Sequence, residues 1–370
     1  MKTIKQIGDI SGKRVLVRVD FNVPIENGIV IDPYRIEQSL DTIHFLRDYG
    51  AKIILISHRG KSDESLSPVA EYMKRYFPVQ FVKDITDGEA LRAVEGLRGG
   101  EVLLLENLRS NSGEEKNDQL FAEALARYGD IYVNEAFSAS HREHASIVTL
   151  PSRLPSCCGL QFARELEHLS LALNPTHPFV FILGGAKFST KLPLLKKYLD
   201  IADTVFVGGA LVNNFYVAQG LSVGESLVDE GEFGIPALLS NQKLIIPKNV
   251  VVTDGMQTVT KEAHTLTDND VIVDIDKAEV EALRPILNAA SLILWNGPLG
   301  KTGNDDASKV LIELLKEVNG KTIIGGGDTA TLLSGRNDTN AFTFVSTGGG
   351  ATLQFLAEGT LPGIDALKSL

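Results

Sequence analysis

Apolar residues along this chain gather into short unbroken runs. In the first half these are "RVLVRVD", "AKIILIS", "EVLLLEN" and "DIYVNEA". In the second half they are "FVFIL", "TVFVG", "NVVVTD", "SLILWN", "KTIIG" and "AFTFVS". Runs of this length, rich in β-branched residues and bounded by turn formers, read as strands. Their hydrophobicity is continuous rather than alternating, which predicts strands covered on both faces by helices. Longer helical patterns separate them, so the pattern predicts βαβ units, parallel sheets and an α/β fold.

One region breaks the alternation. "LPSRLPSCCG" carries two prolines, "LQFARELEHLSLALN" comes next, and "PTHP" closes the stretch. Leu160, Ala163, Leu166, Leu169 and Leu173 stand three or four apart, the spacing of one helical stripe. A helix between two proline-containing breaks predicts an interdomain connector. A chain of 370 residues is long enough for two domains with full cores. The expected division is a first domain over 1–157, a hinge helix over 158–174 and a second domain over 175–358. No low-complexity tract or short-period repeat is present.

Composition narrows the function classes. The chain is 44% hydrophobic and 22% charged, as soluble globular proteins are. A net charge of −11 argues against a general nucleic-acid binder, though not against a local basic pocket. Cys157 and Cys158 are neighbours, so they make neither a disulfide framework nor a spaced metal site. No apolar run approaches membrane-spanning length and the first residues lack a signal-like core, so a cytosolic protein is expected.

The residues just past each strand carry the chemistry, because ligands of open parallel sheets sit beyond the carboxyl ends of the strands. In the second half those ends are glycine-rich: Gly184-Gly185-Ala186-Lys187, Gly208-Gly209, Asn296-Gly297-Pro298, Gly325-Gly326-Gly327-Asp328 and Thr347-Gly348-Gly349-Gly350. In the first half they are polar or basic: Asp20 and Asn22, His58 and Arg59, Asn107 and Arg109, then His141, Arg142 and His144. One half is expected to meet anions with bare backbone amides and the other with cationic side chains.

Three nucleotide-site designs compete for the glycine loops. A Walker A loop would need glycine where Trp295 or Leu315 stands ahead of the two Gly-Lys-Thr triplets, so that design fails. A dinucleotide fingerprint is half present at Gly325, Gly327 and Ala330, but the acid expected about 20 residues later is missing. The third design is a mononucleotide site. Gly326 and Gly327 donate amides at a helix N-terminus, Asp328 binds Mg²⁺, and Lys187 and Lys191 bring two cations from one helical face. Singly, each residue has a plainer explanation: a turn glycine, an N-cap aspartate, a solvated Lys191, a structural His58 or Arg109. Five glycine-bearing and four cationic or amide-bearing strand ends are harder to explain that way.

Taken together, "RVLVRVDFNVP", "SHRGK", "LLLENLR", "AFSASHREHAS", "ILGGAKFSTKL", "LILWNGPLG", "GGGDTATLL" and "FVSTGGGATLQFLAEGTLPGIDAL" resemble the phosphoglycerate kinase family from about Arg14 to the C-terminus. The resemblance implies two Rossmann-like domains facing each other across a hinged cleft, with the final segment, 359–370, returning to the first. It also implies reversible glycolytic phosphoryl transfer from 1,3-bisphosphoglycerate to ADP, with Mg²⁺, by a monomer. Asp20, Asn22, Arg35, His58, Arg59, Gly60, Lys61, Arg109 and Arg142 would meet the glycerate substrate. Gly185, Lys187, Lys191, Gly208, Asn296, Gly326, Gly327, Asp328 and Thr329 would meet the nucleotide, with Asp328 on the metal. Arg35, Lys187 and the amides of Gly326 and Gly327 would stabilise the migrating phosphoryl group.

The chain departs from the family pattern at Lys61, where arginine is usual, and at Gly303, where a ribose-binding glutamate stands. "NEAF" replaces "NDAF". A dehydrogenase would need the missing ribose acid and leaves the arginines unexplained. A non-catalytic binding protein has only Gly303 in its favour.

Overall fold

The computed structural model describes residues 1–86, 88–334 and 338–368. It divides into two compact units, one formed by Met1–Glu167 with the segment beginning at Thr360, the other by His168–Gly359.

Unit 1 is built on six parallel strands in the order Val79–Val82, Val102–Leu105, Lys52–Ile56, Arg14–Arg18, Ile131–Asn134, Ser156–Cys158. Val15 to Val17, Ile53 to Ile56 and Leu103 to Leu105 are fully buried, as the continuous apolar runs require. The order reverses direction around Arg14–Arg18, so the carboxyl ends of its neighbours open a crevice there. The helix Pro362–Lys368 belongs to this unit, and Gly363 N donates to the Ser140 carbonyl at 2.9 Å. A Cβ at Gly363 would stand 2.7 Å from the Ser140 side chain, which is why this approach needs glycine.

Unit 2 repeats the plan with six parallel strands in the order Leu244–Ile245, Thr204–Val207, Phe179–Leu183, Leu292–Asn296, Lys321–Gly325, Phe344–Val345. The α/β class and the parallel sheets stand as the apolar runs predicted. Asn249–Thr253 is the exception. It forms a strand, but in a separate antiparallel sheet between Thr258–Glu262 and Val271–Ile275. Its burial alternates, and an apolar run alone does not tell a sheet's direction.

The connector is a helix, Leu160–Ser170, but its buried face is not the expected stripe. Phe162, Glu165 and Leu169 are fully buried, while Leu160, Ala163 and Leu166 are half-buried. The preceding proline-rich stretch is also structured, since Ser156–Cys158 is an edge strand. Proline is tolerated just ahead of such a strand.

Candidate active site

The crevice of unit 1 collects the polar strand ends. Asp20 lies two residues beyond its strand, is 7% exposed, and accepts from Arg35 Nη1 at 2.8 Å and from the Ser138 hydroxyl. Burial pushes its carboxyl up, but Arg35 and the other neighbouring donors outweigh this and hold it below the usual carboxylate range. Asn22 Oδ1 accepts the Gly60 amide at 3.0 Å, binding the first strand end to the second. His58 is 3% exposed, with Arg142 Nη1 3.3 Å from its Nε2. Burial, then Arg18 and the other arginines, pushes the His58 imidazole well below its ordinary value.

Arg59 pairs with Glu64 at 3.0 Å, and Arg109 reaches both Glu115 Oε1 at 3.0 Å and the Gly60 carbonyl. Asn107 holds this corner together. Its Nδ2 donates to the carbonyls of Arg59, Lys61 and Glu64 at 2.7–2.8 Å, and its Oδ1 accepts the amides of Arg59 and Arg109. Lys61 is exposed at the loop tip. The structure thus links Asp20, Asn22, Arg35, Arg59, Gly60 and Arg109, through Asn107, into one hydrogen-bonded network, with His58 and Arg142 facing each other close to Asp20. Sequence reasoning passed over three of its supports, Arg18, Ser138 and Glu114. Arg18 lies inside an apolar strand and the other two follow no strand directly, so only the fold reveals their proximity.

The glycine loops of unit 2 behave differently from the expectation of bare amides. Gly184 N donates to Asn296 O at 2.8 Å, Gly185 N to Pro298 O, Gly208 N to Leu183 O and Gly209 N to Leu299 O, each at 2.9 Å. Gly297 N donates to Thr329 Oγ1 at 3.2 Å. These glycines let the loops press together: a Cβ at Gly184 would sit 2.2 Å from the Pro298 oxygen. Gly326 and Gly327 are different. They open the helix Gly327–Ser334, and their amides find no acceptor among the described residues. Gly326 takes φ +103°, and a Cβ at Gly327 would meet nothing within 4 Å.

The two lysines do not share a helical face, as their spacing had suggested. Lys187 is the exposed, extended residue ahead of the helix Phe188–Ile201, whereas Lys191 lies within it. Nor is Lys191 a solvated surface lysine. Its Nζ is held by Asn296 Oδ1, and burial lowers its pKa to about 8 despite Asp328 nearby. Asn296 is fully buried, and Thr329, also buried, spends its hydroxyl on the Gly297 amide. Both support the loop from behind.

A cavity of about 490 Å³ lies alongside, within the size range of small-molecule sites. Its walls are Gly185, Gly209 and Pro298 to Gly300, the apolar Leu227 and Val271 to Val273, and the polar Asn213, Glu225, Asp274, Lys301, Thr302 and Asp328. Asp274 is committed to the amides of Ile275 and Ala307, at 2.9 and 3.0 Å, and burial raises its pKa to about 6.

The family model for phosphoglycerate kinase matches residues 4–359. The chain belongs to the phosphoglycerate kinase family. The phosphoglycerate kinase of Caulobacter vibrioides is 41% identical over 387 residues, covering 98% of each chain, and that of Borreliella burgdorferi is 36% identical over the full length of both. Among solved structures, phosphoglycerate kinases from Coxiella burnetii and Pyrococcus horikoshii align over the whole chain with TM-scores of 0.86 and 0.88, at 32% and 27% identity. Membership makes the chain a kinase, and the family's reaction is glycolytic phosphoryl transfer.

Against the phosphoglycerate kinase pattern, two departures acquire a structural meaning. Gly303 has φ +86° and open space where a Cβ would point, so the position carries no side chain toward any ligand. Glu135 of "NEAF" is fully buried and accepts the Thr42 hydroxyl and the amides of Gln161 and Phe162, capping the helix Leu160–Ser170 from a neighbouring strand. A Cβ at position 159 would overlap its carboxylate, so Gly159 makes room for it.

Proposed function

We propose that unit 1 binds 3-phosphoglycerate or 1,3-bisphosphoglycerate, that unit 2 binds ADP or ATP with Mg²⁺, and that the phosphoryl group passes reversibly between them. The carrying observation is the contrast in anion recognition. Unit 1 offers a linked cluster of guanidinium groups around Asp20 and His58, suited to a small carboxylate and phosphate. Unit 2 offers unpaired amides at a helix N-terminus beside an apolar-walled cavity, suited to a nucleoside diphosphate.

In this reading Arg35, Arg59, Arg109 and Arg142, with Asp20, Asn22, His58 and the Gly60–Lys61 loop, orient the glycerate. Asp20 holds Arg35 at 2.8 Å, so the guanidinium is preset rather than recruited. On the nucleotide side Lys187, exposed and ahead of its helix, has the reach to follow the migrating phosphoryl group, while Lys191 is fixed by Asn296. The amides of Gly326 and Gly327 stabilise charge that develops on that group, without reorganising. The attacking oxygen of ADP is already anionic and an acyl phosphate is already activated, so no residue is assigned as general base. Transfer requires exclusion of water from the acyl phosphate, with the helix Leu160–Ser170 and the Thr347–Gly350 loop as hinges.

Asp328 fits the metal's needs. Among the described residues no group of three His, Cys, Asp or Glu could hold an ion unaided. One exposed carboxylate at the rim of the cavity suits Mg²⁺, which keeps waters and phosphate oxygens as its other ligands. When bound, the ion supplies neutralisation of phosphate charge. With Asp274 spent on backbone amides and position 303 bare, Glu225 is the cavity carboxylate we assign to the ribose hydroxyls.

A coupled assay with 1,3-bisphosphoglycerate and a panel of nucleoside diphosphates tests the proposal. ATP formation from ADP is the expected result. Absent turnover from a folded chain that binds both ligands would overturn it in favour of a non-catalytic binding role.

A further inference from the structure

Arg18 is the largest fully buried charged side chain among the described residues, with no exposed surface. It points off the first strand into three fixed acceptors. Its Nε donates to Ser146 Oγ at 2.8 Å, Nη1 to the Val19 carbonyl at 2.5 Å, and Nη2 faces His58 Nδ1 at 2.9 Å. Behind it stands a buried carboxyl group. Glu114 is fully buried and accepts from Ser146 twice, the hydroxyl at 2.6 Å and the amide at 3.0 Å.

The consequence comes from counting donors. A guanidinium carries N–H donors and no acceptor. His58 Nδ1 must therefore meet Arg18 with its lone pair, and an imidazolium would set N–H against N–H. The remaining ring hydrogen is placed on Nε2. Arg142 Nη1 stands 3.3 Å from that nitrogen, and it too is only a donor. Two donors at this separation do not bond to each other, but one oxygen from a ligand accepts from both.

We infer that Arg18 is a positioning residue that locks His58 as the neutral, Nε2-protonated tautomer, so that His58 and Arg142 converge on one oxygen of an anionic ligand. The ligand half of this inference rests on the proposed 3-phosphoglycerate site; the tautomer lock stands on the Arg18 contacts alone. A lysine in place of Arg18 would be a point charge, and could not span Ser146 and His58 at once in a fixed plane. The Glu114–Ser146 link keeps the guanidinium from swinging to another acceptor.

The direct test is the ¹⁵N spectrum of the His58 ring in the full-length, ligand-free protein. The expected result is an unprotonated Nδ1 and a protonated Nε2, unchanged from about pH 5.5 to 8, because burial and the guanidiniums of Arg18, Arg109 and Arg142 outweigh the nearby Asp20 carboxylate. A protonated Nδ1, or an imidazolium forming in that range, overturns the lock. Adding 3-phosphoglycerate is expected to shift the Nε2 resonance and leave Nδ1 in place. A locked ring that ignores 3-phosphoglycerate while the ligand binds elsewhere would overturn the site reading and the ligand half of the inference, not the lock. The kinetic arm uses Arg18→Lys and Arg18→Met. Each is expected to raise the KM for 3-phosphoglycerate by about tenfold or more, with the KM for ATP within about twofold, and to give a mixed His58 tautomer. A variant that loses thermal stability yet keeps both the tautomer and the substrate KM would assign Arg18 a packing role only and overturn the inference.

Discussion

The two units share a sheet plan yet prepare for anions in opposite ways. In unit 1 the charge sits on side chains, and three of the arginines are tied to the chain itself: Arg35 to Asp20, Arg109 to Gly60 and Glu115, Arg59 to Glu64. In unit 2 Gly184, Gly185, Gly208, Gly209 and Gly297 spend their amides on the chain's own packing, whereas those of Gly326 and Gly327 find no acceptor among the described residues. A tethered guanidinium gives up little freedom on binding, whereas a free helix end offers its amides at no rearrangement cost. The same topology therefore supports a rigid, charge-dense site and an open, roomy one.

The hardest test of that contrast is kinetic. Arg35→Ala and Lys187→Ala are each expected to lower turnover on the order of 10²–10³-fold, about 3–4 kcal/mol of transition-state stabilisation, with nucleotide affinity little changed. Steady-state kinetics beside nucleotide titration measures both, and near-normal turnover in either variant removes that residue from the mechanism.

Next comes the division among glycines. Gly184→Ala places a methyl group 2.2 Å from the Pro298 carbonyl and should cost about 3 kcal/mol or more of stability. Gly327→Ala meets open space within a helix and should change stability by about 0.5 kcal/mol or less. Thermal unfolding of both variants decides it; equal losses would mean that the two glycines do the same work.

A third test is electrostatic. Burial raises the Glu135 carboxyl to about 7, from an ordinary value of 4.5. Between those values the unfolded chain has released its proton while the folded chain still holds it, so stability falls as pH rises from 4.5 to about 7 and is level above. The size is up to about 3 kcal/mol, and Glu135→Gln should lack this slope. Parallel melting curves for the two proteins across that range would refute the shift.

The smallest effect is expected at the cavity wall. Glu225→Gln should raise the KM for ADP about three- to tenfold, near 1 kcal/mol, and leave the KM for 3-phosphoglycerate alone. An unchanged KM for ADP would leave the ribose hydroxyls to another group.

Much of this was legible in the chain. Runs such as Phe179–Leu183 and Lys321–Gly325 form strands with the bounds their residues suggest, because an apolar run between turn formers has few other ways to be buried. Three short strands were not legible. Val79–Val82, Ser156–Cys158 and Leu244–Ile245 are held by neighbours already in the sheet rather than by their own pattern. The residue types at the strand ends also suggested the polarity proposed for the two sites, since the carboxyl end of a parallel strand is where a loop meets a ligand.

The sequence by itself determined the α/β class, the family and the chemical character of each strand end, because these depend on local periodicity and on residues a few positions apart. Only the tertiary structure decided which amides stay free, that Lys191 is buried against Asn296 rather than solvated, and that Arg18, Ser146 and Glu114 stand behind His58. Those outcomes join residues 32 to 128 positions apart. Hydrogen-bond partnership and desolvation at that range are set by what the folded chain brings within about 3 Å, which no local pattern encodes.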